Sequence, residues 1–99
     1  MKAGATPFTI EFERAAEREI KALPSEVGRA ILHEIKTRLS VEPFKEVKTR
    51  IKRLGGFSLP LYRLRIGDYR AYYRIAQQRV VVLAVLHKKD SERWLKRRT

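Results

Sequence analysis

The pair Gly67-Asp68, set between Leu61-Tyr-Arg-Leu-Arg-Ile66 and Tyr69-Arg-Ala-Tyr-Tyr-Arg-Ile75, constrains this chain more than any other feature. Both flanking runs are rich in aromatic and aliphatic residues, and glycine at the first central position of a two-residue loop accepts the positive φ such turns require. With residues 67 and 68 as the loop, Ile66 opposes Tyr69, Arg65 opposes Arg70, Leu64 opposes Ala71, Arg63 opposes Tyr72 and Tyr62 opposes Tyr73. Alternation then divides the hairpin. Tyr62, Leu64, Ile66, Tyr69, Ala71, Tyr73 and Ile75 make an apolar face suited to a core, while Arg63, Arg65, Arg70, Tyr72 and Arg74 share the other. Like charges placed directly opposite each other destabilise a strand pair. Arg65 across from Arg70 therefore suits an anion, because guanidinium matches the oxygen forks of phosphate and carboxylate. Cations pointing separately into solvent are the alternative.

A chain of 99 residues makes one domain with a single modest core, so its function rests on a surface or a shallow cleft. Without cysteine there is no disulfide framework, thiolate nucleophile or cysteine-held zinc. The N-terminal Met1-Lys-Ala-Gly-Ala-Thr-Pro7 lacks the apolar core of a signal peptide, and the apolar run from Val80 to Leu86 is too short to span a bilayer. A soluble, cytoplasmic protein with no membrane role is expected. Charge is unevenly placed: residues 1–46 carry eight basic and eight acidic side chains, whereas 47–99 carry fifteen and three, so the whole net charge of +12 lies in the second half. Such one-sided excess is the footprint of a polyanion binder, most often of nucleic acid, with steep salt dependence. A chain that is merely basic, neutralised by an acidic partner, fits as well.

Phe8-Thr-Ile-Glu-Phe12 alternates like a half-buried strand. Helical spacing follows from Glu13 to Ala22, with Ala16, Ile20 and Leu23 on one stripe ended by Pro24, and again from Ser25 to Leu39, where Val27, Ile31, Ile35 and Leu39 repeat. Two antiparallel helices would lay these stripes on a sheet. Beyond Glu42-Pro43, the basic segment holding Lys45, Lys48, Arg50, Lys52 and Arg53 is weakly periodic and is placed as a loop or short helical turn beside the arginine face. It is either a plain surface loop or a clamp that tracks phosphates.

Gln77-Gln78 marks the next two-residue turn, leading into Arg79-Val-Val-Val-Leu-Ala-Val-Leu-His87, whose unbroken apolar run requires burial on both faces. Carrying the register on, Val81, Leu83, Val85 and His87 fall on the arginine side, with Val85 beside Arg70 and His87 near Arg65 and Arg70. The valines there need an apolar cover. Trp94 and Leu95, in a short basic C-terminal helix or a mobile end, are local candidates; a partner's amphipathic helix is the other. The fold class expected is α+β: a small, antiparallel-dominated sheet against an N-terminal two-helix hairpin, with a short C-terminal helix.

The chain resembles the RelE/ParE superfamily of toxins from toxin–antitoxin pairs over nearly its whole length. The resemblance is carried by Leu23-Pro24 between two helices, the basic stretch from Lys45 to Arg53, the motif Tyr62-Arg-Leu-Arg-Ile-Gly-Asp-Tyr-Arg-Ala-Tyr-Tyr73, and the Val-rich strand from Val80 into Lys88-Lys89. It implies a single RelE-like domain over 1–99, similar in fold to small microbial ribonucleases, that cleaves messenger RNA positioned in the ribosomal A site. On this resemblance Arg63 and Arg65 match the family's basic catalytic pair, Arg70 its phosphate-stabilising arginine, and Lys88 or Lys89 its terminal basic residue. Many relatives place a base-stacking tyrosine shortly afterwards; here no tyrosine follows, and Trp94 is the aromatic residue nearby.

In metal-free RNA cleavage the ribose 2′-OH attacks its own phosphate, so the protein supplies alignment, a base, an acid and positive charge. Arginine stays protonated and is a poor base. Histidine titrates near neutrality and a lysine among cations moves toward it, which makes His87 or Lys88 the candidate for proton transfer; a purely structural histidine is the plainer alternative. Candidate RNA contacts are Lys45, Lys48, Arg50, Lys52, Arg53, Tyr72, Lys89 and Trp94. No metal or other cofactor is expected. The partners implied are a cognate acidic antitoxin and the ribosome with its messenger. The alternatives are a ParE-like protein that binds DNA gyrase without hydrolysis, and a basic nucleic-acid-binding module without catalysis.

Overall fold

Along the chain run β1 (Thr9–Phe12), α1 (Arg14–Lys21), α2 (Ser25–Leu39), β2 (Ile51–Leu54), β3 (Leu61–Ile66), β4 (Tyr69–Ala76), β5 (Arg79–His87) and α3 (Lys88–Lys96). This computed structural model describes residues 7–98. Residues 1–6, most of the stretch weighed as a signal peptide, lie outside them. The strands form one sheet in the order β1-β5-β4-β3-β2. β1 runs parallel to β5 and every other pair is antiparallel, so the α+β class holds with a mixed sheet. Among the described residues, no helix is long and apolar enough to cross a membrane.

Gly67 takes φ +57°, and β3 and β4 pair in the register its turn dictates, Arg65 opposite Arg70 and Arg63 opposite Tyr72. The hairpin's apolar side becomes the core. Leu64, Ala71 and Tyr73 are fully buried there with Ile31, Ile35 and Leu39 of α2 and Ala16 and Ile20 of α1. Gly28 sits where the two helices cross: a Cβ at that position would stand 3.2 Å from the Ile20 carbonyl oxygen, so close approach explains a glycine that helix propensity alone disfavours.

The basic segment differs from expectation. Its second half is β2, a short edge strand with Ile51 opposite Leu64 and Lys52 opposite Arg63, entered through a turn in which Val47 bridges Ile51. Burying Ile51 against the core fixes as a strand a stretch whose cations otherwise mask its alternation.

A second difference lies in β5. The Gln77-Gln78 turn is two residues long, with Ala76 opposite Arg79, but Tyr72 pairs with Ala84 while Tyr73 pairs with Val82, leaving Leu83 as an extra residue. This bulge shifts the rest of the strand by one. Val85 accordingly pairs with Ala71 in the core and His87 with Tyr69, while Leu86 stands beside Arg70. The bulge follows directly on the last β1 partner, Val82, and beyond it the Val85 N–H donates to Glu19 Oε1 of α1 at 2.8 Å. Burial raises the Glu19 carboxyl above its ordinary value, opposed by that hydrogen bond and by the charges of Arg18 and Arg98.

Tyr73 ties the loop after α2 to the sheet, its buried hydroxyl donating to the Pro43 carbonyl at 2.7 Å. Burial, with a smaller contribution from Tyr62, holds that hydroxyl above the ordinary tyrosine value. Because the folded-state value is the higher one, Tyr73's contribution is complete below about pH 10 and is lost as the pH rises beyond it. Tyr73→Phe should cost about 1–2 kcal/mol at neutral pH, where it leaves the Pro43 carbonyl unpaired. Denaturation across pH 8 to 11.5 should show wild type losing stability above about pH 10 more steeply than the variant; parallel curves would contradict this assignment.

Candidate nucleic-acid interface

The face of the sheet turned away from α1 and α2 carries the arginines. On β3 and β4 these are Arg65, which is exposed, and Arg63, Arg70 and Arg74, which are half-buried; Lys52 of β2 joins them opposite Arg63. The ion pairs of the described residues lie elsewhere: Arg38 with Glu34, Lys45 with Glu42, Arg79 with Glu11, Lys88 with Asp68 and Arg93 with Asp90. None takes up an arginine of this face. The Nε atoms of Arg63 and Arg74 are buried without a hydrogen-bond partner among the described residues. Burial and the neighbouring charges of Arg63 and Arg65 lower the Arg70 guanidinium below its ordinary value, against smaller opposing effects of Tyr72 and Asp68. Repulsion of that kind is relieved by an anion placed among the three.

Arg70 is held toward the hairpin turn, where its Nη1 donates to the carbonyls of Gly67 and Tyr69, each at 2.9 Å. Lys88 reaches the same turn. Its backbone N–H donates to the Asp68 carbonyl at 2.8 Å and its Nζ stands 3.5 Å from Asp68 Oδ1. Beside the turn, Thr49, Arg50, Arg65 and Gly67 line an open cleft of about 390 Å³. Two guanidinium groups and a threonine hydroxyl around such a cleft suit a phosphate, which takes forked hydrogen bonds from arginine.

The other expected site residues fall into three groups. Arg50 and Lys52 flank the arginine face. Lys45 lines a second cleft, with Thr37, Arg38, Val41 and Arg50, Arg53 pairs with Tyr62, whose side faces the core, and Lys48 is exposed on the turn before β2. Lys89 occupies the first turn of α3, exposed.

One expectation is corrected. His87 is not beside Arg65 and Arg70: the bulge turns it to the Tyr69 side, where the rings meet edge to face at 5.4 Å, and its Nδ1 accepts the Lys89 N–H as the N-cap of α3. Tyr72 is on the arginine side but is 1% exposed, because α3 folds back and stacks Trp94 on it with ring centroids 4.8 Å apart. The Arg98 guanidinium also lies 4.1 Å from the centre of the Trp94 ring. Both aromatic residues among the candidate RNA contacts are thus engaged with protein while α3 is seated. Arg74 was placed on this face by alternation but not singled out; the signal for it was the same period of two that marked Arg63 and Arg65.

Residues 10–92 match the family described as the ParE toxin of the type II toxin-antitoxin system parDE. Toxin RelG of Mycobacterium tuberculosis is 33% identical over 86 residues, which span 85% of this chain and 94% of RelG. Among solved structures, a chain of the toxin-antitoxin complex RelBE2 of M. tuberculosis superposes with a TM-score of 0.71 at 31% identity, over 83% of this chain and 92% of that one. The archaeal RelE-RelB complex of Pyrococcus horikoshii gives 0.67 at 25% identity, over 82% and 94%.

Trp94→Ala removes the ring that closes Tyr72. It should lower unfolding stability by about 2 kcal/mol, less than full burial of a tryptophan is worth because the ring is only half-buried, and should increase amide exchange in α3 ahead of the sheet. Unchanged protection of α3 would show that the helix is held by other contacts.

Proposed function

The chain belongs to the ParE toxin family of type II toxin–antitoxin systems and is a RelE-like toxin, and we propose that it stops translation by cutting messenger RNA on the ribosome. The cluster of Arg63, Arg65 and Arg70, without a carboxylate partner among the described residues, carries this reading. A messenger phosphate supplies the missing anion. RNA is selected because the nucleophile is its own 2′-hydroxyl, which DNA lacks.

In the reaction the 2′-oxygen attacks phosphorus as its proton leaves, the bond to the 5′-oxygen breaks, and that oxygen takes up a proton, giving a 2′,3′-cyclic phosphate and a 5′-hydroxyl. Arg63, Arg65 and Arg70 orient the phosphate and stabilise the charge gathering on its oxygens. Proton transfer is assigned to Lys88, which shares the Gly67-Asp68 turn with Arg70. His87, on the Tyr69 side, is assigned to capping α3. Arg50 and Lys52 hold the strand on either side of the scissile phosphate, with Lys48 and Lys89 as outer contacts. A cognate antitoxin with an acidic segment would neutralise the +12 charge and shield the arginine face.

One observation favours a second reading. Tyr72 and Trp94 are stacked on each other and do not present a ring to a messenger base, an arrangement that suits a ParE-like gyrase inhibitor that cleaves nothing. Induced expression separates the two. A ribonuclease should lose growth arrest in Arg70→Ala, with cleavage slowed at least about 100-fold. Lys88→Ala should slow it by a comparable factor and His87→Asn by less than about tenfold. Persistent arrest by Arg70→Ala, together with inhibition of gyrase supercoiling by the purified toxin, would support the gyrase reading instead.

A further inference from the structure

We propose that Arg74 forms a second phosphate subsite, on the far side of Tyr72 from Arg70, that grips single-stranded RNA at a phosphodiester flanking the one that is cut. The inference deepens the ribonuclease reading and rests on it.

Arg74 stands four residues along β4 from Arg70, roughly 13 Å by strand rise, and on the same face. Arg70 is folded the other way, onto the carbonyls of Gly67 and Tyr69, so one phosphate does not serve both. Across the strand pair, Arg74 is the diagonal neighbour of Arg63, since Arg63 opposes Tyr72. These two arginines have the same unusual status: each is half-buried with its Nε enclosed and without an acceptor, and neither belongs to an ion pair among the described residues. Directly across β5 from Arg74 is Val81, which offers no counter-charge.

A half-buried guanidinium whose Nε has no acceptor among the described residues is a burden on the free fold, because burial weakens its hydration and no hydrogen bond there replaces it. An arginine needed for structure would be expected to have an acceptor. Arg74 has the opposite character: its Nε is enclosed without an acceptor and it joins no ion pair among the described residues, which suits a group that binds an anionic ligand. A phosphodiester fits as that ligand: it is anionic, it recurs along RNA, and the arginine row extends along the strands toward it.

The test is binding of a fluorescent 2′-O-methyl RNA oligonucleotide, which cannot be cleaved, measured by anisotropy over a salt series with wild type, Arg74→Met, Arg74→Lys, Arg70→Ala and Arg29→Met. The last removes one exposed charge from the solvent side of α2. Arg74→Met should weaken binding about tenfold and lower the salt slope by about 0.7, while melting no lower than wild type. Arg74→Lys should retain the slope, and Arg29→Met should stay within about twofold of wild type. If Arg74→Met behaves like Arg29→Met while Arg70→Ala loses binding, the subsite is refuted and the ribonuclease reading stands. If Arg70→Ala also binds as wild type, both fail. A clear drop in the melting temperature of Arg74→Met with unchanged binding would make Arg74 a structural residue and overturn the proposal.

Discussion

The opposed pair Arg65 and Arg70 is the constraint around which the molecule is arranged. Two cations facing each other across a ladder cost up to about 1 kcal/mol, and Arg63 and Arg74 add unmet charge beside them. The hairpin tolerates this because the alternate residues of the same strands, Leu64, Ala71 and Tyr73, are completely buried. Burial of Leu64 alone contributes about 1.5–3 kcal/mol, enough to hold the register against the repulsion on the other side. One side of the hairpin therefore stabilises the fold while the other is left free to be electrostatically unsatisfied. Stability given up at a site of this kind is the usual accompaniment of function.

The bulge at Leu83 decides which side chains share that face. Without it, Val85 and His87 would stand among the arginines and the core would lack Val85. With it, Ala84 lies opposite Tyr72 and Leu86 beside Arg70, and His87 is moved to the far side to start α3. Ala84 is itself fully buried, and Trp94 closes over the Tyr72 beside it. A single inserted residue thus couples three features: the packing of the core against β5, the chemistry available at the hairpin turn, and the position of the C-terminal helix. Lys88, the first residue after the strand, is brought to Asp68 by the same shift.

Much of this was legible from the residues. Gly67-Asp68 fixed the hairpin register because a positive φ is required there and glycine meets it, and α2 was bounded by Pro24 and by four aliphatic residues at helical spacing. The face bearing the arginines followed from alternation alone. The bulge did not, since Val80-Val-Val-Leu-Ala-Val-Leu86 is apolar at every position and gives no sign of which residue is extra; the contacts that flank it, the end of β1 and the Glu19 carboxylate, are both far away in sequence. β2 was missed because an edge strand of four residues bearing Lys52 and Arg53 has no clear alternation of its own. Trp94 was legible as a candidate for the apolar cover on the arginine side, but its stacking on Tyr72 in particular is a tertiary contact that no local pattern marks.

Primer extension on a defined messenger in a purified translation system, comparing wild type with Arg65→Ala and Arg70→Ala at low and moderate salt, tests the central claim most directly. The account predicts cuts in phase with the reading frame, dependent on the ribosome and lost in both variants. An intact messenger at toxin concentrations that arrest growth would contradict it and shift the assignment to a gyrase inhibitor.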